Sequence, residues 1–497
     1  MRFISILGQL WLLQTYAQAD VQLPKIFTDH MVIQQELLIN IWGKADVGEK
    51  VTVSLNGKSV TTQAGEGRAW RLVLPAMKAD GKTHTLKVQG NNTIELQDIL
   101  IGEVWFCSGQ SNMGRPVPGA AIEKANYPGI RLFHVNGKTP RRGDLDEVVG
   151  WLVCTPEAVR TSGDGSRSKR RPFSEVAYEF GRRLHEVLKV PVGIIQSNTG
   201  GSTAKDWTPL PDAETKFPFD KEIARLKHTP GACYRVKLRG LIPLTIRGAI
   251  WYQGEDDGRN RKYTDDLTKM IEAWRTNWGR KDLPFYMAQI AQTTYASGML
   301  GVTESHVQVM HTVPHTGLAS SNNLQDRNKR PDKGNPRRKI AGTGWPIVSG
   351  GNPHPPNKHI VAGRLTDIAL AKLYTKLQRE VFGPILDTHE IKNGKAIVKF
   401  NFVGSGLKTD DGQPPNWFEI SDGSRADERS IAPLVYVKAE AKIVDKDTIE
   451  VWSPKNKNPK FVRFAWHALA RHNLVNGEDI PAIPFRTDKL PQMWNRR

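Results

Sequence analysis

Between residues 50 and 55 the chain alternates. Val51, Val53 and Leu55 are apolar, while Lys50, Thr52 and Ser54 are polar. A period of two is that of a strand with one face buried. Turn residues punctuate the same stretch at Asn56-Gly57, Ala79-Asp80-Gly81 and Gly90-Asn91-Asn92. Residues 20–98 are therefore expected to form a small β-sandwich. From about residue 99 the texture changes. Residues 101–106, 191–195, 246–252 and 283–290 are apolar runs of strand length. Between them the period lengthens. Ser174 is placed to cap a helix with an apolar face of Val176, Ala177, Phe180, Leu184, Val187 and Leu188. A helix is expected over about 262–278, and residues 360–377 carry a stripe of Val361, Leu365, Ile368, Ala369 and Leu373. Strands alternating with helices predict an α/β domain on a parallel sheet over 99–384, with its chemistry beyond the carboxyl ends of the strands. From about residue 385 the two-residue period returns in Val398, Phe400 and Phe402. With further strands expected over 448–452 and 460–466, residues 385–490 read as a C-terminal β-rich region.

The N-terminus has a different character. Arg2 precedes an apolar run over residues 3–13, and Ala17-Gln18-Ala19 forms a small-x-small cleavage pattern before Asp20. Residues 1–19 read as a secretory signal peptide, so a secreted or periplasmic location is expected. No later apolar run reaches transmembrane length, and no membrane span is expected once the leader is removed. The 70 basic residues outnumber 51 acidic ones, for a net charge of +19. Such a charge fits nucleic acid or an anionic substrate. No nucleic-acid partner is expected, because export and the lack of a recognition motif both argue against one. Two basic clusters stand out, at residues 167–171 and 327–339. Three cysteines, Cys107, Cys154 and Cys233, are too few for a disulfide scaffold, and no C-x-x-C pair offers a zinc site. Three buried thiols are expected rather than one disulfide and a free thiol.

Candidate chemistry lies in four places. Gly109-Gln110-Ser111-Asn112-Met113 follows a strand, where a turn of small residues can present the Ser111 hydroxyl to a ligand. Ser197-Asn198-Thr199-Gly200-Gly201-Ser202 ends the next apolar strand, and its glycines leave backbone N–H groups open to a developing oxyanion. Trp251-Tyr252-Gln253-Gly254-Glu255 ends a third strand; Gln253 supplies an amide donor and Glu255 a carboxylate. Asn352-Pro353-His354-Pro355 precedes the last long helix and offers His354 as a general base.

Serine, glycine, amide and histidine in that order resemble the SGNH/GDSL-like hydrolases. More narrowly, the chain resembles the sialate O-acetylesterase family. The resemblance is carried by residues 102–113, residues 251–255 and His354-Pro355-Pro356-Asn357-Lys358, with support from residues 23–32, 404–407 and 484–488. It implies a three-layer α/β/α catalytic domain flanked by the two β-rich regions. It also implies Ser111 as nucleophile, His354 as base, and an oxyanion hole from the N–H of Ser111, that of Gly200 or Gly201, and the Gln253 amide. No metal or organic cofactor is implied. The family's usual aspartate two residues before the histidine is Asn352 here. Either Glu255 or the backbone carbonyl of Asn352 is then left to hold the histidine. The implied activity is hydrolysis of O-acetyl esters on sialic acid or a related acetylated glycan. The alternatives are an acetylxylan or other polysaccharide acetylesterase, and a catalytically weakened glycan-binding protein. The implied partner is the acetylated carbohydrate, and the basic clusters suit an anionic group on it.

Overall fold

A computed structural model describes residues 20–135, 150–166, 169–210, 227–293, 298–324, 353–425, 434–468 and 470–488. The leader over 1–19, the basic stretch 327–339 and Asn352 lie outside the described residues.

The N-terminal region is built from antiparallel pairs. Lys50–Leu55 pairs with both Lys58–Gln63 and His84–Gln89, and Ile39–Lys44 pairs with Ala69–Leu74. Val51, Val53 and Leu55 are buried, as the alternation predicts. The strand β1 (Thr93–Gly109) then changes character along its length. Over residues 93–98 exposed and half-buried positions alternate; from Ile99 onward every residue is buried. Its first part pairs antiparallel with His84–Gln89 in the small domain. Its second part is a central strand, covered on both faces, and reads as a continuous apolar run for that reason. The expected boundary between residues 98 and 99 thus falls inside one strand.

The central sheet contains β1, β2 (Tyr127–His134), β3 (Leu152–Cys154), β4 (Val192–Asn198), β5 (Gly248–Tyr252), β6 (Phe285–Ala288) and β7 (Thr316–Ala319). Their order is β7-β6-β5-β1-β4-β2-β3. Neighbours are parallel except β3, which runs antiparallel to β2 at the edge. Four helices matter for the site: α1 (Glu175–Leu188), α2 (Tyr263–Trp278), α3 (Met299–Thr312) and α4 (Lys358–Lys372). Trp105 and Phe106, adjacent on β1, face opposite sides of the sheet. The Trp105 ring meets Phe180 of α1 edge-on at 4.9 Å. Phe106 meets Trp274 and Trp278 of α2 at 5.6 and 5.9 Å. Helices therefore cover both faces, and the domain is the three-layer α/β/α sandwich expected.

Ser174 caps α1 as its sequence suggests: its hydroxyl accepts from Ala177 N at 3.1 Å. Val176, Ala177, Phe180 and Leu184 are buried, but Val187 is exposed. In the last turn, where Lys189 swings into the left-handed region and ends the helix, core contact passes to Leu188. The strand expected over 460–466 is shorter, Phe461–Phe464. Phe402 leaves its strand with a φ of 61° and packs on Phe382 at 5.2 Å instead of continuing the alternation. The C-terminal region holds two four-stranded antiparallel sheets around a core of its own, including Val398, Phe400, Phe418, Ile420, Val451 and Phe464. Cys107, Cys154 and Cys233 are buried free thiols. No helix among the described residues is long and apolar enough to cross a membrane.

A buried ionic hub ties the small domain to the sheet. Glu103 of β1 takes two hydrogen bonds from Arg247, from Nε at 2.7 Å and from Nη2 at 2.8 Å. Gln34 and Gln35 of the small domain and the Tyr374 hydroxyl also donate to its carboxylate. A fully buried carboxylate is tolerated when its lone pairs are satisfied in this way.

Candidate active site

The site lies at the carboxyl ends of β1, β4 and β5. Gly109 ends β1 at a φ of +140°. A side chain there would stand 2.2 Å from the Tyr252 carbonyl oxygen, so only glycine fits. The turn that follows is tied to both neighbours: Gln110 N donates to Tyr252 O at 3.0 Å, and Thr199 N donates to Gly109 O at 3.1 Å. Gly114 N reaches back to Gln110 O at 3.2 Å, closing a helical turn around Ser111.

His354 arrives from the other side, four residues ahead of α4. Its Nε2 is 2.8 Å from Ser111 Oγ. With the imidazole proton on Nδ1, the Ser111 hydroxyl donates to Nε2, the arrangement in which a histidine can take the serine proton. Burial lowers the His354 pKa, and the positive charges of Arg115 and Lys358 lower it further. The ring is thus held toward its neutral, basic form.

Gly200 stands beside the nucleophile; a methyl group on it would lie 3.8 Å from the Ser111 Cβ. Gly201, at a φ of +76°, faces the Lys227 side chain and Asp256 instead. Gln253 does not join them. It is fully buried, and its amide donates to Ser202 O at 3.0 Å and to Asp257 Oδ2 at 2.7 Å. Its oxygen accepts from the Tyr263 hydroxyl at 2.9 Å. Both amide hydrogens being committed, Gln253 braces the loop behind the site and has none left for an oxyanion.

Glu255 is likewise turned to another task. It is buried, and Oε1 accepts from the Asn112 side-chain amide. The same amide donates its second hydrogen to Pro353 O at 2.9 Å. Lys358 Nζ donates to Asn112 Oδ1 at 2.5 Å and lies 3.5 Å from the Tyr252 hydroxyl. Burial pushes Glu255 up to about 7, with Lys358 opposing. Burial also pulls Lys358 down to about 7, with Glu255 and Glu175 opposing. Glu255 thus bears on the histidine's loop through Asn112. Asn352, the other candidate to support His354, is outside the described residues.

Residue type alone does not mark Asn112 or Lys358 as part of the site. A signal for the lysine existed. It occupies the first position of α4, where the helix dipole disfavours a cation. A charge set against the dipole asks for a reason.

A serine and a histidine meet at the carboxyl end of a parallel sheet, inside three α/β/α layers, and the fold is that of the SGNH-type hydrolases. Over residues 101–332 the chain matches the model of the family described as carbohydrate esterase, sialic acid-specific acetylesterase. It is 29% identical over 297 residues to the sialate O-acetylesterases of Homo sapiens and Pongo abelii, covering 52% of this chain and 55% of each relative. The chain therefore spans about half the length of the curated relatives it matches. A solved carbohydrate acetylesterase from Xanthomonas citri aligns over 95% of this chain and 100% of its own, at 27% identity and a TM-score of 0.77.

Proposed function

We propose that the protein is an exported carbohydrate O-acetylesterase that works through an acetyl-enzyme on Ser111. The observation that carries this reading is the 2.8 Å approach of Ser111 Oγ to His354 Nε2. In the proposed cycle His354 Nε2 takes the Ser111 proton as Oγ bonds to the acetyl carbonyl carbon. The carbonyl electron pair moves to oxygen, and the backbone N–H groups of Ser111 and Gly200 receive that charge. Collapse breaks the bond between the acyl carbon and the sugar oxygen, which takes the proton from the imidazolium. Water then adds to the acetyl group and gives its proton to His354. Acetate departs and Ser111 regains its hydrogen. Glu255 and Asn112 support the geometry.

The substrate class is an O-acetylated sugar, with O-acetylated sialic acid first, on the match to the sialic acid-specific family. The near full-length similarity to a carbohydrate acetylesterase supports the broader class of acetylated carbohydrates, within which an esterase of acetylated polysaccharide is the second reading. The basic surplus favours the anionic sugar. The leader pattern over residues 1–19 supports a secreted or periplasmic setting.

Acetate release from O-acetyl sialic acid and from acetylated xylan, with Ser111→Ala as control, tests the proposal. Ser111-dependent release from the first alone supports the sialate reading, and from the second alone the polysaccharide one. Glycan binding with no Ser111-dependent release from either would overturn the enzymatic reading in favour of a binding protein.

A further inference from the structure

The Ser111 turn and the His354 loop are fastened together by one side-chain amide. Asn112 follows the nucleophile directly, and Pro353 precedes the histidine directly. The Asn112–Pro353 hydrogen bond joins them across 241 residues of chain. Asn112 is fully buried. What fixes the orientation of its amide is the pair of charges at its two ends. Lys358 Nζ addresses the oxygen, and Glu255 addresses the nitrogen. A flipped amide would turn its N–H groups on the ammonium and its oxygen on the carboxylate. With the amide locked, its second hydrogen falls on Pro353 O.

Lys358 is costly where it stands. It is 1% exposed and sits at the first position of α4, so desolvation and the helix dipole both oppose its charge. Nothing about helix formation asks for it, since a buried apolar residue would serve the packing better. Its Nζ also lies 4.9 Å from the centroid of the Tyr252 ring. We infer that Lys358 and Glu255 are positioning residues that act through Asn112 to hold the nucleophile and the histidine in one register. The inference rests on the Ser111–His354 reading given above.

Charge gives this role a signature that packing alone lacks. Among the described residues, the charged groups bearing on His354 include Arg115 and Lys358; those bearing on Lys358 include Glu255, Glu175 and Arg115; those bearing on Glu255 include Lys358 and Asp256. Lys358 is one of the cations that keep His354 neutral. Removing it lets the imidazole protonate at higher pH.

The experiment compares Lys358→Met, Glu255→Gln, their double variant and Ser111→Ala, using p-nitrophenyl acetate across pH together with thermal unfolding. Each single change is expected to lower kcat by about 100-fold, with KM held within about threefold. The acid limb of kcat/KM should move to higher pH in Lys358→Met. The double variant, neutral again, should lose no more than the worse single one. Wild-type kcat with an unmoved limb in Lys358→Met, while Ser111→Ala has lost turnover, would overturn the inference. So would a lowered unfolding temperature with the limb unmoved. Full turnover in Ser111→Ala would instead overturn the functional reading. Should Lys358→Met fail to fold, Asn112→Asp decides, since it keeps the side-chain volume but cannot donate to Pro353 O. The same loss of kcat supports the inference, and wild-type kcat ends it.

Discussion

Ser111 and His354 are 243 residues apart in the chain and 2.8 Å apart in space. Strand β1 carries the serine's turn, with Tyr252 and Thr199 pinning it from either side, and the segment ahead of α4 carries the histidine. The hydroxyl is thereby fixed before any substrate binds.

If that pair carries the chemistry, Ser111→Ala should cost roughly 10⁴-fold or more in kcat/KM on p-nitrophenyl acetate. Only one oxygen atom is lost, at a half-buried position, so the unfolding temperature should move by no more than about 2 °C. Steady-state kinetics alongside a thermal melt checks both halves. Activity surviving in a well-folded variant would point to another nucleophile.

The pH dependence follows from the environment of His354. Burial and the two nearby cations lower its pKa from the ordinary value of about 6.5. The base is the neutral ring, so activity is lost as pH falls through the folded-state pKa and is retained above it. The acid limb of kcat/KM should therefore lie below 6.5. A limb at or above that value would mean another group limits the rate.

Gln253 separates a brace from an oxyanion donor. Gln253→Ala leaves Asp257, the Ser202 carbonyl and the Tyr263 hydroxyl short of a buried partner. It should destabilise the fold by about 1–3 kcal/mol. Once corrected for the folded fraction, kcat should fall less than about tenfold, against the 10²–10³ typical of a lost oxyanion donor. A loss in that larger range with an unchanged denaturation midpoint would return the amide to the hole.

The hub at Glu103 should behave as a buried pair does when one partner is removed. Glu103→Ala leaves the largely buried Arg247 guanidinium without its two-point partner. The expected cost is about 3–5 kcal/mol, measured by urea unfolding. A cost below about 1 kcal/mol would show that Gln34, Gln35 and Glu36 can take over.

The framework of the molecule was legible because its strands announce themselves. Val51, Val53 and Leu55 alternate, the fully covered strands β1, β4 and β5 run continuously apolar, and Ser174 caps the helix its sequence predicts. What escaped was short or polar. Strands β3 and β7 have three and four residues, too few to set a period. Strand β2 carries Pro128, Gly129 and Arg131, which mask its buried half. Helix α3 has a weakly sided apolar pattern and passed unread. In the site, residue type indicated the chemistry but not the direction of each side chain. Ser111, His354 and Gly200 converge as their order suggested. Gln253 lies on the expected strand end with its amide turned the other way, because Asp257 and Ser202 claim it. Asn112 sat inside a motif already noticed. Its importance comes from partners at 255, 353 and 358, which no local pattern couples.

Strand β1 begins as an edge of the N-terminal sandwich and ends at the residue before Gln110-Ser111. The same uninterrupted ribbon therefore anchors the nucleophile's turn at one end and the small domain at the other. The N-terminal module is not a detachable accessory. Trimming it away would unzip the central strand from its first half, and a graft joined at residue 99 would have to rebuild the foundation on which the reactive hydroxyl stands.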